Sequence, residues 1–267
     1  VINPPLSPFY KGGSNHHASV SPSFFKEEDD NEECFSPSFV KGGPGRISLI
    51  IYDLDGTLVD SAPDIATAVN RMRRELGHAD KTLDAIKQWV GNGSAMLVKR
   101  SLGDALGIAP EQVATDVFEH AYALFYKHYR LTNGQHTTVF PGVRDALDHF
   151  RERGVAQAVC TNKPGEFTEA LLAALDLTRY FRCIASGDSL PVKKPDPAPL
   201  LYCAEQCQVP IQECLMVGDS MTDVKAARAA SMHVACVNYG YHRGDSLASA
   251  DAQVASLAEL SALLATR

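Results

Sequence analysis

The sequence predicts an α/β protein: a doubly wound, Rossmann-like parallel sheet with an all-helical domain inserted after its first strand. Three observations predict it. Residues 47–53, ISLIIYD, form a continuous isoleucine-rich run between Gly45 and Gly56, the pattern of a strand buried on both faces. From residue 143 onward short apolar runs alternate with helix-period segments, as repeated strand–helix–strand units require. Between about residues 62 and 138 that rhythm stops, and one helical pattern follows another without a convincing strand.

Taken in chain order, residues 1–46 stand apart in composition. They hold three copies of a short pattern, SPFYKGG (7–13), SPSFFKEE (21–28) and SPSFVKGG (36–43), with an acidic cluster, EEDDNEE, between the last two. Pro, Gly, Ser and clustered charge bury too little surface to offset chain entropy, so this arm is expected to be disordered. It has neither the basic start and apolar core of a signal peptide nor the acid-poor composition of a transit peptide. The chain starts at Val1, and the arm reads as translated upstream sequence or an over-extended start, with a docking arm as the alternative.

The core domain is expected over 47–61 and 139–267, and a helical cap over 62–138. Within the cap the helical segments are PDIATAVNRMRRELG, DAIKQWVG, SAMLVKRSLGDALG and QVATDVFEHAYALFYKHYR. FPGV (140–143) is the turn that returns the chain to the core. There VRDALDHFRERG reads as a helix ending on Gly154, VAQAVCTN as a strand and EFTEALLAALDL as a helix. FRCIASGD is a short strand, APLLYCAEQCQ a helix, LMVGDS a strand running into a loop, and TDVKAARAASM a helix. HVACVNYG is a strand, and SLAELSALLA is the closing helix.

Composition narrows the function classes. Apolar residues make up 45% and charged residues 21%, the balance of a soluble globule with a real core. A formal charge of -7 with no basic block argues weakly against nucleic-acid binding. No apolar run approaches the roughly 18–20 residues of a membrane helix. The seven cysteines (Cys34, Cys160, Cys183, Cys203, Cys207, Cys214 and Cys236) form no C-x-x-C pair and read as buried apolar residues in a reducing cytoplasm. Cys203 and Cys207 share a helix face, but no further ligand pattern supports a metal there.

In parallel sheets ligands bind beyond the carboxyl ends of the strands. The residues at those ends are Asp53 and Asp55, then Thr161 and Asn162, then Asp188 with PVKKP, then Gly218, Asp219 and Ser220. Carboxylates gathered so closely repel one another and call for a cation. All-oxygen ligands select a hard ion, Mg²⁺ rather than zinc. The lysine and threonine suit an anion bridging to that ion, and a phosphate meets both requirements. Of two aspartates one residue apart, one can attack phosphorus and the other can move protons. Gly56 lets the backbone turn tightly beneath them. The absence of G-x-x-x-x-G-K-[ST] excludes a phosphate-loop kinase.

DLDGTLVD (53–60), TN (161–162), KKPDP (193–197) and GDSMTD (218–223) resemble the four motifs of the haloacid dehalogenase-like hydrolase superfamily, over about residues 47–265. The helical insertion resembles that family's cap. The resemblance implies Asp53 as nucleophile, Asp55 as acid/base, Thr161 as phosphate ligand and Lys194 as the neutralising lysine, with Lys193 the competitor. It also implies Mg²⁺ held by Asp53, Asp219 and the backbone carbonyl of Asp55, with Asp223 supporting. An aspartate at position 55 favours phosphoryl transfer over carbon–halogen cleavage, which needs no protonated alkoxide.

Within the superfamily WVGNGS (89–94), TNKP (161–164), LPVKKPDPAPL (190–200) and NYGYHRG (238–244) resemble the bacterial phosphoglycolate phosphatases, which hydrolyse 2-phosphoglycolate to glycolate and phosphate with Mg²⁺. The substrate contacts expected on this reading are Thr161, Asn162, Lys194 and the Gly91-Asn92-Gly93 turn. Backbone N–H groups of that turn, at a helix start, would take the glycolate carboxylate. Lys99 and Arg100, further along that helix, either contact that carboxylate or face solvent, and solvent is the preferred reading. The expected partner is a small phosphate ester, with no nucleic acid and no membrane, for a monomer or homodimer. A phosphatase for sugar phosphates, nucleotides or pyrophosphate, a phosphomutase, and a non-catalytic binding protein are the competing readings.

Overall fold

The computed structural model describes residues 46–241 and 247–265. The repeated Ser-Pro arm through residue 45, Cys34 within it, and residues 242–244 of the NYGYHRG stretch lie outside the described residues. The isoleucine-rich run gives β1 (Leu49–Tyr52), every residue of it buried. After a tight turn comes β2 (Val59–Asp60), where the chain leaves the core.

The insertion is helical. In α1 (Ala62–Glu75) Pro63 occupies the first turn, where no N–H is needed, and Arg73 and Arg74 lie in the last turn, where they favour the helix dipole. Ile65, Val69 and Met72 make its buried stripe. Next come α2 (Leu83–Lys87), α3 (Ser94–Leu106) and α4 (Thr115–Thr132). Ala121, Phe125 and Tyr129, four residues apart on α4, close against α1 in one apolar cluster. Buried Arg73 ties α1 to α3 by donating to the Ser101 carbonyl at 2.7 Å and to Asp104 at 3.1 Å.

The way out of the cap is fixed by Asp64. Its carboxylate is fully buried and accepts from the N–H groups of Gly134, His136 and Thr137 at 2.8–3.0 Å and from the Thr137 hydroxyl at 2.6 Å. β3 (Thr138–Val139) then pairs antiparallel with β2, Val59 opposite Val139. Both chain crossings between core and cap therefore lie side by side. Two-residue strands carry no alternation, so this pair has no sequence signal.

The core continues with α5 (Val143–Glu152), β4 (Ala156–Cys160), α6 (Gly165–Ala174), β5 (Cys183–Ala185), α7 (Ala198–Cys207) and β6 (Cys214–Gly218). It ends with α8 (Met221–Ala229), β7 (His233–Val237), β8 (Ala252–Val254) and α9 (Leu257–Ala265). The sheet order is β5-β4-β1-β6-β7-β8, with every pairing parallel. The three-residue β8 is an addition to the strands expected from sequence. Alternation splits β1 between two layers: Ile50 and Tyr52 pack with α5, α6 and α9, while Leu49 and Ile51 pack with α7 and α8. The fold is thus a parallel α/β sheet covered on both faces, with an inserted helical cap.

The cysteines at 160, 183, 203, 207, 214 and 236 are free and buried, and Cys203 and Cys207 belong to the apolar layer under α7. Among the described residues no helix is long and apolar enough to cross a membrane.

Candidate active site

The parallel ladder delivers the polar residues to one edge. Asp53 follows β1 directly, and its N–H continues the ladder to the Val217 carbonyl at 2.9 Å. The chain then folds back on itself through Leu58 N–H to the Leu54 carbonyl at 3.0 Å. Gly56 makes this possible with φ of 89°, and a Cβ there would fall 2.4 Å from an Asp219 oxygen. Thr161 extends β4 by donating its N–H to the Ala185 carbonyl at 2.9 Å. Asp219 and Asp223 flank the start of α8, and Asp223 accepts from the Ser220 N–H and hydroxyl at 3.1 and 2.7 Å.

Asp53, Asp219 and Asp223 are buried, and each offers an oxygen within 4.8 Å of the others. One ammonium sits among them: Lys194 Nζ is 3.1 Å from Asp53 and 2.6 Å from Asp223. Lys194 is 2% exposed, whereas Lys193 is exposed and its ammonium lies beside Gly93 of the cap. Three carboxylates against one lysine leave the cluster short of positive charge. Burial pushes Asp53 up to about 6; Lys194 holds it from rising further, while Asp223 adds repulsion. Asp219 is raised well above the usual carboxylate range by burial and then by Asp223 and Asp53, although it accepts the Tyr241 N–H at 2.5 Å. An all-carboxylate donor set with excess negative charge fits a hard divalent cation, so the trio is positioned to chelate one. Both Asp223 oxygens already have protein partners, which suits a supporting place beside Asp53 and Asp219.

The Asp55 side chain lies outside this trio, so any contact with a metal would have to come through its backbone carbonyl. Its Oδ1 accepts from Ser61 Oγ at 2.5 Å and from Lys163 Nζ at 3.0 Å. Lys163 also donates to the Tyr129 hydroxyl, on α4 of the cap. Burial by itself would lower Lys163, but Asp55 and then Tyr129 outweigh it and hold the ammonium above its ordinary value. Burial pushes Tyr129 up to about 12, so its hydroxyl stays protonated.

These groups line a cleft of about 440 Å³, its open mouth included, between core and cap. The core supplies Asp53, Asp55, Thr161, Asn162 and Lys163; the cap supplies Gly91, Gly93, Ile65, Leu97, Phe125 and Tyr129. Asn162 donates to the carbonyls of Lys194, at 2.9 Å, and of Gly91, at 3.1 Å, so it bridges the two walls. Gly93 caps α3 with φ of 86°, and Gly91 and Gly93 both line the cleft.

Asn92 is not among the lining residues. Its side chain donates to Thr222 on α8 at 3.1 Å and accepts from Arg100 at 2.8 Å. Arg100 therefore does not face solvent as expected. It is half-buried and fastens the turn by donating also to the Trp89 carbonyl at 2.8 Å. Lys99 lies over the Phe118 ring.

Sequence reasoning passed over Lys163, Tyr129 and Tyr241. Lys163 carries a weaker form of the Asp53 signal, a charge three residues after a buried strand, behind Thr161 and Asn162. Tyr129 had no signal beyond its helical spacing. Tyr241 donates to Asp60 at 2.5 Å and accepts the Ala62 N–H at 3.0 Å, joining the loop after β7 to the cap hinge.

A sequence profile for haloacid dehalogenase-like hydrolases matches residues 50–237, an interval that contains Asp53, Asp55, Thr161, Lys194, Asp219 and Asp223. The chain belongs to this family. The hydrolase is 44% identical over 223 residues to the phosphoglycolate phosphatase of Nitrosospira multiformis, a match covering 83% of this chain and 97% of the relative. It is 46% identical over 202 residues to the phosphoglycolate phosphatase of Pseudomonas putida, covering 75% and 73% of the two chains. The crystal structure of a predicted phosphoglycolate phosphatase from Haemophilus somnus superposes on the hydrolase with a TM-score of 0.75 at 30% identity, over 80% of this chain and 96% of that one.

Proposed function

We propose that this hydrolase is a magnesium-dependent phosphatase that splits 2-phosphoglycolate into glycolate and phosphate. The observation that carries the reading is the separation of two carboxylates in one cleft. Asp53 is paired with Lys194 inside the metal-binding trio, while Asp55 is turned to a different lysine. A nucleophile and a proton carrier need such different surroundings. The names of the relatives from Nitrosospira multiformis and Pseudomonas putida support the choice of substrate.

On this reading Thr161 and Lys194 take the phosphoryl oxygens. The Asp53 carboxylate attacks phosphorus in line, an aspartyl-phosphate forms, and the ester P–O bond breaks. Asp55 gives its proton to the departing glycolate oxygen, then removes one from the water that releases phosphate and restores Asp53. Asp53, Asp219 and the Asp55 carbonyl would hold Mg²⁺, with Asp223 in support, and the ion supplies neutralisation of phosphoryl charge. The cap wall keeps bulk water from the intermediate.

The test is phosphate release from 2-phosphoglycolate, sugar phosphates, nucleotides and pyrophosphate, with Mg²⁺ and with excess EDTA, and with Asp53→Asn as the inactive control. The expected result is Mg²⁺-dependent turnover with clear preference for 2-phosphoglycolate. Preference for another ester would overturn the substrate, and full turnover by Asp53→Asn would overturn the chemistry.

A further inference from the structure

We infer that Lys163, assisted by the Tyr129 hydroxyl, anchors the carboxylate of the substrate and restricts the cleft to phosphate esters that carry a second anion next to the ester oxygen. The inference rests on the phosphatase reading above and concerns the end of the substrate that does not react. A substrate with two anionic ends needs two cations in its site. Lys194 is committed to the reacting end, between Asp53 and Asp223. Among the described residues that line the cleft, Lys163 is the one cation.

Its placement suits a ligand better than it suits a purely structural ion pair. Lys163 is 5% exposed and its acceptors, Asp55 and Tyr129, both line the same cleft, one from the core and one from the cap. The three N–H groups of the ammonium meet Tyr129 and both Asp55 oxygens, at 3.0 and 3.3 Å, and a carboxylate arriving between Asp55 and Tyr129 would take over the longer Asp55 contact and make Lys163 the bridge between two carboxylates, as Lys194 already is. Tyr129 accepts from Lys163 and keeps its own proton to donate to the same anion. Of the other cap side chains in the cleft, Ile65, Val90, Leu97 and Phe125 are apolar and Ser94 alone carries a hydroxyl, so a neutral polar tail finds little there. Asp55 lies beside this anchor, which puts the leaving oxygen of a short ester next to its proton donor.

The full chain with Mg²⁺ is assayed on 2-phosphoglycolate and on 2-hydroxyethyl phosphate, an ester of equal length with a neutral tail. Removing one partner of a buried charged contact predicts that Lys163→Met lowers the ratio of the two kcat/KM values about 100-fold, mainly through KM for 2-phosphoglycolate. Whatever loss of the Asp55 partner does to turnover, it does to both esters, so the ratio isolates recognition. Lys163→Arg retains most of the preference, and Tyr129→Phe, which keeps the ring in the cap core, lowers it roughly 5-fold. A ratio unchanged in both Lys163→Met and Tyr129→Phe overturns this inference alone. No phosphate release from either ester by the unaltered chain overturns the phosphatase reading and this inference with it.

Discussion

Replacing Lys194 by methionine keeps an unbranched apolar stem and removes the ammonium with its charge and N–H donors. The structure gives the scale of what is lost. At 3.1 Å from Asp53 and 2.6 Å from Asp223, Coulomb's law with an effective dielectric of about 20 gives roughly 5 and 6 kcal/mol of gross attraction. Much of that is offset by the desolvation of a buried ammonium, so the net destabilisation is expected to be about 3 kcal/mol. Catalysis suffers more than stability. Without the lysine, Asp53 rises beyond about 6, so more of it is protonated at neutral pH and unable to attack. The transition state also loses one fixed positive group, about 10³-fold in rate. Lys193→Met is the paired control, because that side chain is exposed and stands at the cap instead of in the cluster. Steady-state phosphate release at saturating Mg²⁺, with thermal melts of both variants, gives the comparison. Lys194→Met within tenfold of the unaltered chain, or an equal loss in Lys193→Met, would refute the assignment of Lys194.

Two further outcomes are expected. Asp53 is raised to about 6 and Asp219 well above the usual carboxylate range, so on the acid side both hold protons that a cation must displace. The rise in melting temperature on adding Mg²⁺ should therefore be largest above pH 7 and shrink as pH falls through 6. The metal-free protein shows the complementary trend, losing stability as pH climbs from the ordinary carboxylate range to about 6, because there the folded state binds more protons than the unfolded one. Melts from pH 5 to 8 with and without Mg²⁺ check both, and a pH-independent gain would contradict them. Tyr241→Phe removes the hydroxyl that joins Asp60 and the Ala62 N–H. It should cost about 1–3 kcal/mol and speed amide exchange at the cap hinge. Unchanged exchange in peptides spanning 59–66 would show that Tyr241 does not hold the hinge.

The sheet was legible because its signal is local. A strand buried on both faces must be apolar throughout, as LIIY is, and the helices between strands carry their own period and stops, as Gly154 does at φ of 72°. The hinge pair β2 and β3 was not legible, since two residues hold no period. Nor was the short β8, whose three residues pair with β7 at the sheet's edge. Arg100 reads as solvent-facing because charge on a helix usually means solvent, whereas the turn before α3 presents a carbonyl and an amide oxygen within its reach.

By itself the sequence determined which segments follow the strands, and so that Asp53, Thr161, the Lys193-Lys194 pair and Asp219 gather at one edge, because parallel pairing leaves those ends no other place. It could not decide between adjacent lysines, since one step along a loop turns a side chain from the interior to the surface; only packing buried Lys194 and left Lys193 out. Nor do composition and spacing separate the two aspartates of DLD, whose roles the family resemblance alone implies. The tertiary structure does, by giving Asp53 the carboxylate trio and giving Asp55 the pair formed by Lys163 and a tyrosine 74 residues beyond it in the chain, at position 129. Such a contact depends on how the cap closes over the sheet, and no local pattern in either segment encodes that.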